Sequence, residues 1–272
     1  MLFRLSPPRR KGLWALACVF GLCSPAYAAG LNDTGITFCA DDSSTRANCA
    51  TVGADSGTHP RQDATQGRDA AAKAGNLIKV GAGNAGFDFT KIANNGSDLP
   101  ASAALGSGPT DWACTRDNVT GLTWEVKTTS GLRSKNHTYT WYNGDASSNG
   151  GNAGYASGGT CYQSGRCDTE KFVQDVNAAG LCGTTSGAWR MPTVKELEGI
   201  ADLGQTGSAI DTNYFPNFGG GNFPNWEGGN YWSGSPYSID VAWVVGISLG
   251  NAGAVDKRSY NLPSVRLVRG GQ

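Results

Sequence analysis

Few residues in this chain have the type and spacing to do chemistry. His59 and His137 are the only histidines, neither has a triad-type partner in sequence, and no Gly-x-Ser-x-Gly elbow occurs. A carboxylate pair remains open, because Glu196, Glu198 or Asp240 could approach another acid in space. Gly81, Gly83 and Gly86 have the spacing of a dinucleotide loop. That site requires a helix to open next, and residues 87–92 alternate like a strand, so an ordinary glycine loop is expected. Residues 143–149 offer oxygens at alternate positions, as a calcium loop does. They lack the glycine at the sixth position and the closing glutamate, so a solvated turn fits better. No catalytic group, cofactor or metal site is expected.

The cysteines speak more clearly. Arg4, Arg9, Arg10 and Lys11 precede an apolar run over residues 13–22, and Ala26-Tyr27-Ala28 offers a cleavage site. Residues 1–28 therefore read as an export signal, too short in its apolar part to span a bilayer. Cys39, Cys49, Cys114, Cys161, Cys167 and Cys182 remain beyond it, an even number in an exported chain. They read as disulfides and not as a zinc site, since no Cys-x-x-Cys pair is present. Closure of the shortest loops favours Cys39–Cys49 and Cys161–Cys167, which leaves Cys114–Cys182 to staple the domain. Removal of the leader takes four basic residues from a chain that balances 22 against 22, so the mature charge is 18 − 22 = −4. That argues against nucleic acid or any bulk polyanion as a partner.

Aromatic side chains are the better lead to a ligand. Trp226, Tyr237 and Tyr260 sit in loops beside asparagine and charge, the mixture that suits adaptable recognition. Trp232 and Trp243 fall inside strand patterns and are expected in the core. The loop over residues 219–230 is rich in glycine, and Trp226, Glu227 and Asn230 lie on it. Asp240, Asn251, Lys257 and Arg258, from neighbouring turns, are expected to add hydrogen bonds on the same side. Trp226 as a plug of the core beneath its loop is the competing reading.

Elements must hold these residues in place. Forty glycines and 16% charged residues indicate a loop-rich chain with few long helices. Residues 29–110 read as an irregular, glycine-rich extension pinned by Cys39–Cys49, with one strand-like run at 87–92. From residue 111 the pattern sharpens. Strands are expected at 122–126 and 139–142, then a helix capped by Asp168 with Phe172, Val173 and Val176 on one side and Gly180 at its end. Thr193 and Glu196 form a capping box behind Pro192, which starts a second helix running toward Gly204. Strands at 231–235, 241–249 and 264–268 finish the chain. The class is α+β with an antiparallel sheet.

Four stretches occur in order: RDNVTGLTWEVKT, WRMPTVKELEGIAD, IDTNYFPNF, and YWSGSPY with AWVVGISLG and SVRLVRG. Together, over residues 112–270, they resemble the Lcl C-terminal domain family, formerly a bacterial domain of unknown function. The resemblance implies a C-type-lectin-like fold, with two helices flanking a twisted antiparallel sheet, the first and last strands paired, and a long loop region. It also implies an adhesion-related binding role, although fold alone does not transfer a ligand. The expected function is an exported, non-catalytic binding module for a glycan or a surface protein. An envelope enzyme acting on polysaccharide and a purely structural surface component are the alternatives.

Overall fold

The structure is a computed structural model that describes residues 30–52, 59–184, 187–219, 229–259 and 263–270. The export-signal reading of residues 1–28 lies outside them. Two antiparallel sheets form the centre of the fold. The larger has the order β2-β1-β3-β4-β8, built from Phe89–Ala93 (β1), Asp98–Leu99 (β2), Trp112–Asp117 (β3), Thr123–Glu125 (β4) and Val268–Arg269 (β8). The smaller has the order β5-β6-β7, from Asn230–Pro236 (β5), Val241–Gly246 (β6) and Asn251–Asp256 (β7). Three α-helices, Gly67–Lys73 (α1), Thr169–Ala178 (α2) and Val194–Glu198 (α3), and two single 3-10 turns, Asp63–Thr65 and Leu181–Gly183, complete the described elements. The α+β class with antiparallel sheets holds.

Local sequence explains the helix ends. Asp168 lies in extended backbone and its carboxylate accepts the Lys171 amide at 2.9 Å, while Phe172 and Val176 turn into the core. Gly180 follows in the left-handed region, φ 62°, which ends the helix as its sequence indicates. At α3 both halves of the capping box are formed: the Glu196 amide donates to Thr193 Oγ1 at 3.2 Å and the Thr193 amide to Glu196 Oε2 at 2.8 Å. The helix is shorter than expected, ending at Gly199 and not near Gly204. Past Gly199 the Ala201 amide already bonds only three residues back, to Glu198, and Asp202 is drawn away by Asn84 Nδ2 at 2.7 Å. A tertiary contact with the N-terminal segment stops the helix.

That segment corrects the sequence reading most. Residues 29–110 are not wholly irregular, because β1 lies between β2 and β3 in the larger sheet, pairing Thr90 with Arg116 and Ile92 with Cys114. The boundary expected near residue 110 runs through the sheet. Strand β3 was absent from the expected set, since its buried residues run continuously and do not alternate. The small, exposed β7 was absent too. Conversely, residues 139–142 make single bridges, as at Thr140 with Asp168, and the 264–268 strand narrows to β8.

All three expected disulfides are formed: Cys39–Cys49, Cys114–Cys182 and Cys161–Cys167. Cys114–Cys182 sits among Trp141, Trp189, Trp232, Phe172 and Leu267 in one half of the core. Phe89, Trp124, Phe215, Tyr231 and Val268 build the other half. Between β4 and the C-terminal segment lies a fully buried ion pair, Lys127 Nζ to Glu125 Oε1 at 2.9 Å.

Reduction or removal of Cys114–Cys182, which spans 68 residues, is expected to lower stability by about 3–5 kcal/mol in a urea titration, more than loss of either short-loop bridge. Thr193→Ala is expected to cost about 1 kcal/mol by the same measurement. Burial holds the Lys127 ammonium well below its ordinary 10.5, at about 8, against the pull of Glu125. Between those values the unfolded chain binds more protons at this site than the fold does. The site therefore adds stability as pH rises from about 8 to about 10.5. Subtracting the stability curve of Lys127→Met from that of the parent across this window should give a rising difference; a flat one refutes the assignment.

Candidate functional site

A cleft of about 600 Å³ opens where the N-terminal ends of α2 and α3 meet the end of β5. Trp141 and Tyr142 line its base, and Val173, Met191 and Pro192 add apolar wall. Trp141 is buried and fixed, its indole N–H donating to the Ser233 carbonyl at 2.9 Å. Tyr142 is half-buried, and its backbone is held at both ends by the Thr169 hydroxyl, which accepts from its amide at 2.9 Å and donates to its carbonyl at 2.7 Å. Helix α2 thus sets the position of the aromatic base.

The opposite wall comes from the α3 cap. Arg190 grips Glu196 through both guanidinium nitrogens, at 2.8 and 2.6 Å, and Glu196 also takes the Thr193 amide. Burial pushes the Glu196 carboxyl up, but the hydrogen bonds from Arg190 and Thr193 outweigh it and hold the group below its ordinary range. Ser235 Oγ accepts the Val194 amide at 3.2 Å, which ties β5 to the start of α3. Glu170, in the first turn of α2, accepts the Gly144 amide through Oε2 at 2.7 Å.

Residues 143–152 form a ridge between this cleft and the turn that follows β5. Asn143 and Ser148 face the cleft. Asp145 closes the ridge on itself, taking the Ser147 amide at 2.9 Å and the Ser148 hydroxyl at 3.0 Å, so the residues that hinted at calcium form a turn of this kind. Gly150, at φ 71°, lies against Pro236, where a Cβ would approach the proline ring at 2.7 Å. Lys257 pins the whole arrangement. Its ammonium donates to the carbonyls of Asn149 and Asn152 at 2.8 Å each and of Ile239 at 2.9 Å, and lies 4.3 Å from the centre of the Trp141 ring.

The expected binding residues divide. Tyr237 is exposed at 59% and meets Trp243 edge-on, with ring centres 5.0 Å apart. Trp243 is consequently half-exposed and not the core residue its strand pattern suggested. Asp240 joins them, accepting Asn152 Nδ2 at 2.8 Å with Arg258 at 3.7 Å. Tyr237, Asp240 and Arg258 therefore do cluster, on the far side of the ridge from the cleft. Asn251 is exposed but begins β7, whereas Arg258 follows its end. Five strand steps, about 17 Å, separate Asn251 from Asp256, so it does not share their side.

Two expected binding residues are structural instead. Lys257 is 1% exposed because its ammonium is enclosed by carbonyls, and Asn230 is fully buried at the start of β5, where its carbonyl takes the Ser264 amide. Trp226, Glu227 and Tyr260 lie outside the described residues. The glycines at 81–86 form a hairpin-like loop, Ala82 bridging Phe89 and the Gly81 amide donating to Asp88, with β1 following where a nucleotide site needs a helix.

Sequence reading missed the cleft itself. Its signals were present as two helix caps, at Asp168 and Thr193, and the pair Trp141-Tyr142. Each was assigned a structural role alone, and only the fold shows that both caps open on one space.

Comparison with known proteins bears on the region that holds all these residues. Residues 113–269 match the Lcl C-terminal domain. None of the curated proteins and none of the solved structures matches the chain. The matched region runs from β3 to β8 and takes in the cleft, the ridge and both caps. Since it covers more than half of the 272 residues, the chain belongs to the Lcl C-terminal domain family.

Proposed function

We propose that this is an exported, non-catalytic binding module whose ligand is a glycan held in the cleft between α2, α3 and β5. The observation that carries this reading is the character of the cleft: a fixed aromatic base, apolar side walls, and hydroxyl and amide groups around them. A sugar ring offers the complement, with an apolar C–H face and a rim of hydroxyls. The exposed pair Tyr237 and Trp243, across the ridge, gives a longer chain a second aromatic surface.

The carboxylates favour binding over hydrolysis. A glycosidase needs one carboxyl kept protonated near neutral pH as a general acid. Glu196 is held in the opposite direction by Arg190, and both its oxygens are engaged. Three disulfides support an oxidising compartment, and among the described residues no helix is long and apolar enough to cross a membrane. The C-type-lectin-like arrangement rests on the family resemblance, which pairs the first and last strands; here the last strand, β8, pairs with β4. That partner is the second strand of the matched region and not the first.

Tyr142→Ala tests the site. In a glycan-array screen followed by titration calorimetry, the variant should lose about 2 kcal/mol or more of affinity for whatever the parent binds, with its melting temperature nearly unchanged. Undiminished binding by a folded Tyr142→Ala variant would place the site elsewhere.

A further inference from the structure

Charge in the cleft is uneven. Arg190 is the cation that lines it, and its terminal donors are engaged: Nη1 on Glu196 and on the Met191 carbonyl at 3.2 Å, Nη2 on Glu196 and on the Gly270 carbonyl at 3.3 Å. An incoming anion finds that guanidinium already neutralised at bidentate distance. The helix ends that face the cleft are answered as well, α2 by the Asp168 cap and α3 by its capping box.

Negative charge is left over. Glu170 uses Oε2 for the Gly144 amide, while Oε1 has no hydrogen-bond donor among the described residues. Asp145, whose partners are neutral amides and hydroxyls, adds a second negative charge on the ridge beside Ser148. Glu170 therefore stands uncompensated on the wall of a half-enclosed space, where charge is screened less than in open water, while Asp145 adds its charge from the exposed side of the ridge. The group best placed to meet a ligand is an acceptor, Glu170 Oε1. The Ser235 hydroxyl, which accepts from Val194, still has its own hydrogen to donate.

Resting on the glycan-binding reading, we propose that the cleft selects saccharides that carry no acid group, neutral or amino sugars, and that Glu170 determines this specificity. Glu170 Oε1 accepts a hydrogen bond from a sugar O–H or ammonium. Val173, Met191 and Pro192 take the apolar face of the ring. Sulfated and uronic chains are repelled by the same carboxylate. Glu170→Gln isolates the charge, because the amide oxygen of glutamine still accepts the Gly144 amide and keeps the ridge in place.

The test is titration calorimetry of the mature protein, at low and at physiological salt, with four tetrasaccharides: cellotetraose, N-acetylchitotetraose, its de-N-acetylated form, and a heparin-derived one. The parent should bind at least one of the first three, with the heparin fragment at least tenfold weaker. Among the chitotetraoses the de-N-acetylated form should be the tighter, its advantage shrinking with salt. Glu170→Gln, at an unchanged melting temperature, should lose most of that advantage and narrow the gap to the heparin fragment. A heparin fragment that binds the parent most tightly, and loses its affinity in Tyr142→Ala, overturns the charge selection while the glycan reading stands. An unchanged ranking in folded Glu170→Gln overturns the role of Glu170. Failure of all four to bind overturns both readings together.

Discussion

Everything in this fold hangs on how Glu125 is buried. Its backbone amide donates to the Leu267 carbonyl at 3.0 Å and its Oε2 takes the Leu267 amide, also at 3.0 Å. Oε1 receives Lys127, and the Glu125 carbonyl receives Arg266 Nη1 at 2.7 Å. Arg266 continues outward to the Tyr231 hydroxyl at 3.3 Å, on β5. One residue thus ties β4 to the C-terminal segment, and through Arg266 it reaches the other sheet. Taking these charges out of water is costly, and these partners offset it for Glu125, whereas Arg266 Nε is buried without a hydrogen-bond partner among the described residues. The cost makes the arrangement specific, because a register slip of β8 against β4 would leave Glu125 or Arg266 buried without its partners.

The same device appears at the cleft in a different form. Lys257 carries its charge into a pocket of three backbone carbonyls and an indole face, with no carboxylate in direct contact. Burial lowers its affinity for the proton and Asp240 opposes that. Carbonyls of residues 149, 152 and 239 belong to two loops of a chain rich in glycine, which costs much backbone entropy to fix. A single ammonium fixes both loops, so the ridge gains a defined shape without regular secondary structure. The aromatic base beneath it is then set by Trp141, which the ammonium also touches.

Legibility followed the range of the interaction. The α2 and α3 caps, the Gly180 stop and the strands β4, β5 and β6 are local patterns, and each reads directly from neighbouring residues. The three disulfides were readable because two pairs close short loops and only one pairing then remained. Strand β3 was hidden because a strand covered on both faces loses its alternation, whereas β1 was legible as the alternating run at 87–92 and only its place beside β3 in the larger sheet was not, since that pairing is a long-range contact. Lys257 was misread for a plain reason: a lysine beside an arginine in a turn looks solvent-facing, and the carbonyls that enclose it come from about 18 and about 105 residues away. The early stop of α3 has the same origin, a contact between Asp202 and Asn84 that no local pattern encodes.

The site lies where these two kinds of interaction meet. Caps are local, so the sequence of α2 and α3 can hold Glu170, Glu196 and Thr193 in place whatever the loops do. The ridge is held from a distance by Lys257 and from α2 by Glu170, and together they set how wide the cleft is. Changes in residues 143–148 can then alter the rim without disturbing either the caps or the Glu125 core, because the side chains of that stretch bond largely to one another. Rigid caps, a clamped hinge and a self-contained rim are the conditions under which a binding surface varies while its scaffold stays the same.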